Sequence, residues 1–448
     1  MKVMVVGGGA REHTLVWKLA QSPRVDKVFA APGNAGTASI AQNLNIAPTD
    51  IEELGKAAKQ QDIDLVVVGP EAPLASGIVD YLDSLNITAF GPTKAATQIE
   101  SSKVFARNLM EKHGIPCPKG AIFTSHYEAY EYVKRQKMPV VIKADGLAAG
   151  KGAIIAESQE EAQKTLSDIM EAKIFGSAGD KVLIDEYIIG KEVSLLAFTD
   201  GKTVVPMVPA CDYKKIGDND QGPNTGGIGG YGPPGFFSAE LADRATNAIL
   251  LPTVKAMAEE GIPYKGVLYA GLMLTDREIL TLEFNARFGD PESQVTLPLL
   301  KTDLVDILMA VVEGNLDQLT IQWSDDACVG VVMASGGYPG SYKTDFPIKG
   351  LDKAEKDVLI FHAGTRLDND GTIYTSGGRV LTVVAVGKNI AEARKRVYAE
   401  LPDIYFEGCY YRKDIALREI TPQGRETLNN PPSPGGRELE GGGYINTK

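Results

Sequence analysis

Between Ile279 and Gln294 the chain reads ILTLEFNARFGDPESQ, and Glu283, Asn285 and Arg287 within it carry side chains that could do chemistry together. They stand at alternate positions. On a strand they share one face with Thr281, while Leu280, Leu282, Phe284 and Ala286 take the other. A carboxylate and an amide oxygen are hard ligands of the kind Mg²⁺ accepts beside substrate phosphates. A guanidinium suits a transferring phosphoryl group. In isolation the same pattern fits a half-exposed strand with its polar face in water, so its meaning depends on the surrounding elements.

The N-terminus offers the first of these. Lys2 to Val6 reads as a short buried strand running into Gly7-Gly8-Gly9-Ala10-Arg11-Glu12-His13 and a helix over Thr14 to Gln21. Strand, glycine turn and helix open a doubly wound α/β domain. The dinucleotide fingerprint is incomplete, because Glu12 occupies the third small position and Val28 to Ala31 ends in Pro32-Gly33 rather than an acidic residue. A glycine turn can receive phosphate at the helix N-terminus, with Arg11 as counter-charge; it can equally be a tight connection. Asp64 to Val68 runs into Gly69-Pro70-Glu71, so Glu71 and Arg11 are candidates to face one pocket beyond the strand ends.

Further on, Val140 to Lys143 reads as a buried strand followed by ADGLAAGKG, residues 144–152. This is not a Walker A loop: a spacer is missing and Gly152 replaces the hydroxyl residue. It reads as a glycine lid over a triphosphate or as a surface loop. The strand over Val182 to Glu186 enters a connection whose backbone could meet an adenine edge, with Glu192 for ribose hydroxyls. Cys211 to Pro234 is dense in Gly and Pro and reads as a long loop, which in a compact chain is functional or disordered. Helical spacing follows over Ala239 to Glu260 and Asp303 to Gly314. After Asp325 come strands, a hairpin at Asn369-Asp370-Gly371 and a helix over Ile390 to Leu401, which read as a closing α+β domain.

Composition sets limits. A length of 448 residues suggests two to four domains, with 44% hydrophobic and 23% charged residues as in ordinary globular proteins. A net charge of -12 argues against duplex nucleic acid as the main partner and leaves small anions in play. The four cysteines are scattered without a C-x-x-C, so neither zinc nor a disulfide framework is indicated, and a reducing cytoplasm is expected. Met1 to Gly9 is too brief for a signal peptide or membrane span.

Taken together, Gly-Gly-Gly-Ala-Arg-Glu-His at 7–13, Gly-Pro-Glu-Ala-Pro-Leu at 69–74, Lys-Ala-Asp-Gly-Leu-Ala-Ala-Gly-Lys-Gly at 143–152, Gly-Pro-Asn-Thr-Gly-Gly at 222–227 and Arg-Phe-Gly-Asp-Pro-Glu at 287–292 resemble the phosphoribosylamine–glycine ligase family of the ATP-grasp superfamily. The likeness covers roughly residues 1–420. It implies an ATP-grasp architecture: an N-terminal α/β substrate domain (1–102), a lid subdomain (103–192), a central catalytic subdomain (193–325) and a C-terminal α+β domain (326–420). A tail over 421–448 is expected to be disordered. The implied reaction joins glycine to 5-phosphoribosylamine through glycyl phosphate, with ATP and Mg²⁺ or Mn²⁺, as a purine-biosynthetic step carried out by a cytoplasmic monomer.

The resemblance also assigns residues. Glu283 and Asn285 would hold metal, and Arg287, Asp212 and Lys214 would act in catalysis. Lys103, Lys143, Gly150, Lys151 and Gly152 would meet ATP phosphates, Glu186, Tyr187 and Ile188 the adenine, and Glu192 the ribose. Gly9, Arg11, Glu71, Asn224, Thr225, Arg287 and Asp290 would bind the other substrates, with Asp212 at the glycine amine and Arg287 neutralising charge on the transferring phosphoryl group. The chain departs from the family at Cys211, Tyr213 and Lys215, and at Ile228 and Gly230. No second metal carboxylate stands on Tyr269 to Leu274; Asp290 is a candidate. A rival ligase of another purine step would lack the 287–292 motif. A catalytically retired homologue would bind ATP without turnover, and the retained Glu283, Asn285, Arg287 and Lys143 argue against it.

Overall fold

A computed structural model describes residues 1–147 and 152–421. Gly150 and Lys151 of the expected lid, and the expected tail beyond residue 421, lie outside the described residues. The first sheet contains β1 (Lys2–Gly7), β2 (Lys27–Pro32), β3 (Gln42–Asn43), β4 (Leu65–Val68) and β5 (Ala89–Phe90), all parallel in the order β3-β2-β1-β4-β5. Period-two alternation divides its residues between two cores. Met4, Val6, Phe29, Val66 and Val68 pack under helices Ile51–Gln60 and Ile78–Ser84. Val3, Val5, Val28, Leu65 and Val67 pack with helices Ala10–Leu19 and Leu304–Glu313. Both faces are covered, as parallel sheets require.

A second sheet is wholly antiparallel. It orders β6 (Gly120–Phe123), β7 (Val140–Ala144), β8 (Ala153–Ala156) and β9 (Val182–Glu186) as β6-β9-β7-β8. Helices His126–Val133 and Gln159–Leu166 cover one face, and each starts at a serine, Ser125 or Ser158, whose hydroxyl accepts from the backbone three residues on.

After β10 (Lys191–Thr199) and β11 (Val204–Pro206), the stretch expected to be loop instead forms β12 (Cys211–Asp212), a hairpin of β13 (Lys215–Gly217) and β14 (Gln221–Asn224), and β15 (Gly229–Gly232). The glycines mark close packing. A Cβ on Gly229 would stand 2.8 Å from Ile415 Cδ1 and 2.9 Å from Gly330 O. Helices Ala239–Ala245 and Leu251–Glu259, separated by a wider turn over Thr246–Leu250, lead to β16 (Gly266–Leu274) and β17 (Ile279–Asn285). The central sheet runs β11-β10-β16-β17.

The last portion adds β18 (Ala327–Ala334), β19 (Val358–His362), a hairpin of β20 (Thr365–Leu367) and β21 (Ile373–Thr375), β22 (Arg379–Gly387) and helix Ile390–Glu400. Its sheet runs β12-β15-β18-β22-β19, so strands from both sides of residue 325 share one hydrogen-bonded ladder. Among the described residues no helix is long and apolar enough to cross a membrane.

The first and last sheets meet at a histidine seam. His13 and His362 lie with ring centroids 5.6 Å apart, and His13 Nδ1 accepts from the His362 backbone N–H at 2.8 Å. Burial, then the neighbouring His362, lowers His13 to about 3, and burial lowers His362 to about 4. Both pKa values are depressed below the unfolded value near 6.5, so the unfolded chain protonates first. Stability is full above pH 6.5 and falls as pH drops toward 4. The loss at pH 5 is on the order of 2 kcal/mol per histidine. Urea denaturation should show a clearly lower midpoint at pH 5 than at pH 7.5; equal midpoints would contradict the assignment.

Candidate active site

The chemical face of β17 is set by an irregularity that alternation does not reveal. Gly271 pairs with Glu283, but Leu272 pairs with Thr281, so Leu282 is an extra residue bulging from the strand. Thr281 is thereby carried onto the buried core side with Phe284 and is fully buried, which corrects its expected place beside Glu283. Glu283 and Asn285 remain together, opposite Gly271 and Tyr269 of β16. The bulged Leu282 offers its carbonyl to Lys143 Nζ at 2.9 Å.

Lys143 is held from behind as well. Its ammonium lies 2.9 Å from Asp185 Oδ2 on β9, while Asp185 Oδ1 receives Arg107 Nη2 at 2.5 Å. Lys103 begins helix Lys103–His113 and donates to Gly146 O at 2.9 Å. Asp145 Oδ1 accepts from Ser102 Oγ and Val104 N, which ties that helix start to the end of β7. Burial lowers the Lys103 pKa, and Glu283 opposes the shift.

Lys214 pairs with Glu192 at 2.8 Å, and that carboxylate, followed by Asp212 and Glu283, holds the lysine well above the usual range. Burial pushes the Asp212 carboxyl up to about 7, against the pull of Lys214 and with Glu292, Glu192 and Glu283 adding to it. The field of Glu283 thus reaches Lys103, Asp212 and Lys214, residues that the sequence separates widely. The Glu283 carboxylate has no hydrogen-bond partner among the described residues, and Asn285 Oδ1 has only Arg287 Nη2 at 3.3 Å. Two hard oxygens on one face, with glycine opposite, fit a divalent cation that completes its shell with phosphate and water. Among the described residues no cluster of three His, Cys, Asp or Glu could hold a metal unaided.

Arg287 reaches the first domain. Nε lies 3.2 Å from Glu71 Oε2 and Nη2 lies 3.0 Å from Glu100 Oε1, while Glu100 Oε2 accepts from Ala286 N at 2.7 Å. Arg11 donates to Phe288 O at 3.2 Å and pairs with Glu12 at 2.5 Å. The glycine turn makes room for Glu12: a Cβ on Gly7 would stand 2.5 Å from Glu12 Cγ, and one on Gly69 2.2 Å from Oε1. Gly9 N donates to the same carboxylate at 2.7 Å.

The turn after Arg287 is a joint between segments. Phe288 is buried between Phe90 and Phe198. A Cβ on Gly289 would lie 2.3 Å from Glu292 Oε2, and Glu292 Oε1 accepts from Tyr269 OH at 2.7 Å and Ser194 Oγ at 3.1 Å. Asp290 is gripped by both terminal nitrogens of Arg379, at 3.1 and 2.9 Å, and by Gln294 at 2.7 Å. Arg379 also donates to Gly226 O at 2.7 Å, and Thr225 Oγ1 donates to Lys214 O and accepts from Gly227 N, so the 222–227 loop is clamped to this turn. Asn224 ends β14 opposite Lys215. Gly227 has φ +103°, and a Cβ there would meet Pro291 Cδ at 2.4 Å. Gly227→Ala should therefore cost about 1–3 kcal/mol in urea denaturation; an unchanged midpoint would show that the joint yields.

Glu186 is exposed, and its carboxylate accepts from Lys119 N at 2.7 Å. Tyr187 and Ile188 are half-buried in the connection from β9 to β10, and Gly152 O accepts from Ala144 N at 2.8 Å. Glu100, Asp185, Glu292 and Arg379 join the site without having been singled out. They lie in no local motif except Glu292, at the end of Arg-Phe-Gly-Asp-Pro-Glu.

Comparison with known proteins supplies a context for this geometry. Family models described as Phosphoribosylglycinamide synthetase match in three parts: the N domain over residues 1–100, the ATP-grasp (A) domain over 101–293 and the C domain over 328–418. Phosphoribosylamine–glycine ligase of Caldanaerobacter subterraneus subsp. tengcongensis is 50% identical over 416 residues, covering 93% of this chain and 99% of that protein. The trifunctional purine biosynthetic protein adenosine-3 of Gallus gallus is 49% identical over 424 residues, covering 94% of this chain and 42% of its own. A crystal structure of phosphoribosylamine–glycine ligase from Thermotoga maritima superposes with TM-score 0.82 at 32% identity, covering 93% of this chain and all of that one, at 100%. A Campylobacter jejuni biotin carboxylase gives TM-score 0.73 at 15% identity over 96% of each chain, a likeness of fold.

Proposed function

Because this chain belongs to the phosphoribosylglycinamide synthetase family, we infer that its cleft joins glycine to 5-phosphoribosylamine at the expense of ATP, a step of purine biosynthesis. The enzyme is a carbon–nitrogen ligase that uses ATP and a divalent cation. The observation that carries the reading at the level of this chain is the convergence of Glu283, Asn285, Lys103, Lys143 and Arg287 on one strand face and its surroundings.

Glycine's carboxylate does not acylate an amine directly, because oxide is a poor leaving group. A carboxylate oxygen bonds to the γ-phosphorus, the bridging P–O bond breaks, and its electron pair leaves on ADP. The sugar amine nitrogen then attacks the carbonyl carbon of glycyl phosphate; the C–O bond to phosphate breaks, phosphate departs with the pair, and the nitrogen loses a proton to solvent. No protein nucleophile takes part, and the protein's contribution is position and charge.

Glu283 and Asn285 would hold Mg²⁺, or Mn²⁺ in its place, which when bound neutralises phosphate charge. Lys103, Lys143 and Gly152 face the phosphates, Glu186 to Ile188 the adenine, and Glu192 the ribose. Arg287 balances charge on the transferring group. Asp212, beside Lys214, receives the glycine amine. Glu71 accepts from 5-phosphoribosylamine, whose site Gly9, Arg11, Asn224, Thr225 and Asp290 complete. The working unit on this reading is a monomer in the cytoplasm.

ADP release measured with glycine and freshly generated 5-phosphoribosylamine tests the reading. Turnover should require both. Tight ATP binding without turnover would instead indicate a retired homologue.

A further inference from the structure

Two carboxylates, Glu71 and Glu100, hold the Arg287 guanidinium at 3.2 and 3.0 Å, while Arg11 is paired with Glu12 at 2.5 Å. The two differ in access. The Glu100 side chain is 7% exposed and fixed by Ala286 N, whereas that of Glu71 is 30% exposed. Of the two, Glu71 is the one that a hydrogen-bond donor or cation can reach from solvent.

The same guanidinium touches the phosphoryl side. Nη2 lies 3.0 Å from Glu100 Oε1 and 3.3 Å from Asn285 Oδ1, and Nη1 donates to Phe288 O at 3.2 Å. With Nε on Glu71, every nitrogen of Arg287 is engaged by protein atoms. An arginine so tethered has little freedom to follow a migrating phosphoryl group. A metal on Asn285 Oδ1 would take that acceptor from Nη2, but Phe288 O and Glu100 are buried, so freeing the Nε edge requires a competitor for Glu71.

We propose that Arg287 makes phosphorylation of glycine wait for the sugar amine: a donor arriving at Glu71 takes that carboxylate and releases the Nε edge of the guanidinium toward the face of Glu283 and Asn285. Glu100 is then a positioning residue that keeps Arg287 from leaving altogether. The inference rests on the assignment of 5-phosphoribosylamine to Glu71. It has a chemical purpose, since glycyl phosphate formed without an amine nearby would be lost to water along with the ATP that made it. The coupling is reciprocal, and it is limited to the difference in affinity between the tethered and released arrangements.

Hydroxylamine traps the intermediate without the sugar. Its nitrogen attacks the glycyl carbonyl, phosphate leaves with the electron pair, a proton goes to solvent, and glycine hydroxamate accumulates. The full-length enzyme would be given ATP, Mg²⁺, glycine and hydroxylamine, with or without ribose 5-phosphate, which places a hydroxyl donor where the amine would stand. Ribose 5-phosphate should raise the hydroxamate rate about tenfold in the wild type, and Glu71→Gln should show the raised rate without it. Glu100→Gln should lower kcat with the KM for ATP little changed. Wild-type rates that ignore ribose 5-phosphate, while it competes with 5-phosphoribosylamine, would overturn the gate. A slow Glu71→Gln would do the same, and that variant decides the matter if ribose 5-phosphate does not compete. Glycinamide ribonucleotide formation from the three true substrates is scored separately. If it fails, the functional reading fails; if it succeeds while hydroxamate is ungated, only the gate does.

Discussion

Glu283→Gln should lower kcat on the order of 10²–10³-fold and shift its dependence on divalent cation to higher concentration. The substitution keeps the volume and one oxygen but removes the charge, and the Glu283 carboxylate has no hydrogen-bond partner among the described residues whose loss would unsettle the fold. Its influence is electrostatic, reaching Lys103, Asp212 and Lys214. Urea denaturation of the variant should match the wild type within about 0.5 kcal/mol. Steady-state rates measured across a Mg²⁺ titration check the claim, and unchanged kinetics would remove Glu283 from the metal.

The largest effect on stability is expected at Asp185. It is 1% exposed and meets Arg107, 2% exposed, on one oxygen and Lys143, 10% exposed, on the other. Asp185→Ala would leave two buried cations without their shared anion, at a cost of about 3–5 kcal/mol. Lys143 would also lose the anchor that holds it beside Leu282, so the KM for ATP should rise. Asp185→Asn keeps an acceptor for Arg107 and should fall between. Urea denaturation and ATP titration check both effects; a loss below about 1 kcal/mol would mean that water or rearrangement satisfies the cations.

Much of the architecture was legible because it depends on local rules. Helix Leu304–Glu313 lies within the expected 303–314, with Asp303 as N-cap and Gly314 in left-handed conformation as its stop, and helix Ile390–Glu400 likewise falls within the expected 390–401. The 211–234 stretch was misread as loop because its glycines signal close approach between strands as readily as a turn, and only the facing residues, Ile415 and Gly330, distinguish the two. Alternation found Glu283 and Asn285, but the bulge at Leu282 displaced Thr281, since register depends on the partner strand. Glu100, Asp185 and Arg379 escaped for a related reason. Their partners Arg287, Lys143 and Asp290 are distant in the chain, and no spacing in the sequence announces such a pair.

The ladder β12-β15-β18-β22-β19 has a consequence for how the chain comes into being. During synthesis β15 leaves the ribosome with one edge bare, and its partner β18 follows only after nearly a hundred further residues, with β22 later still. Until then the glycine-rich edge at 229–232 stands open to any passing strand. Newborn chains should therefore depend on chaperones in this interval, and a chain ended by a premature stop near residue 325 should aggregate rather than accumulate as a smaller folded protein.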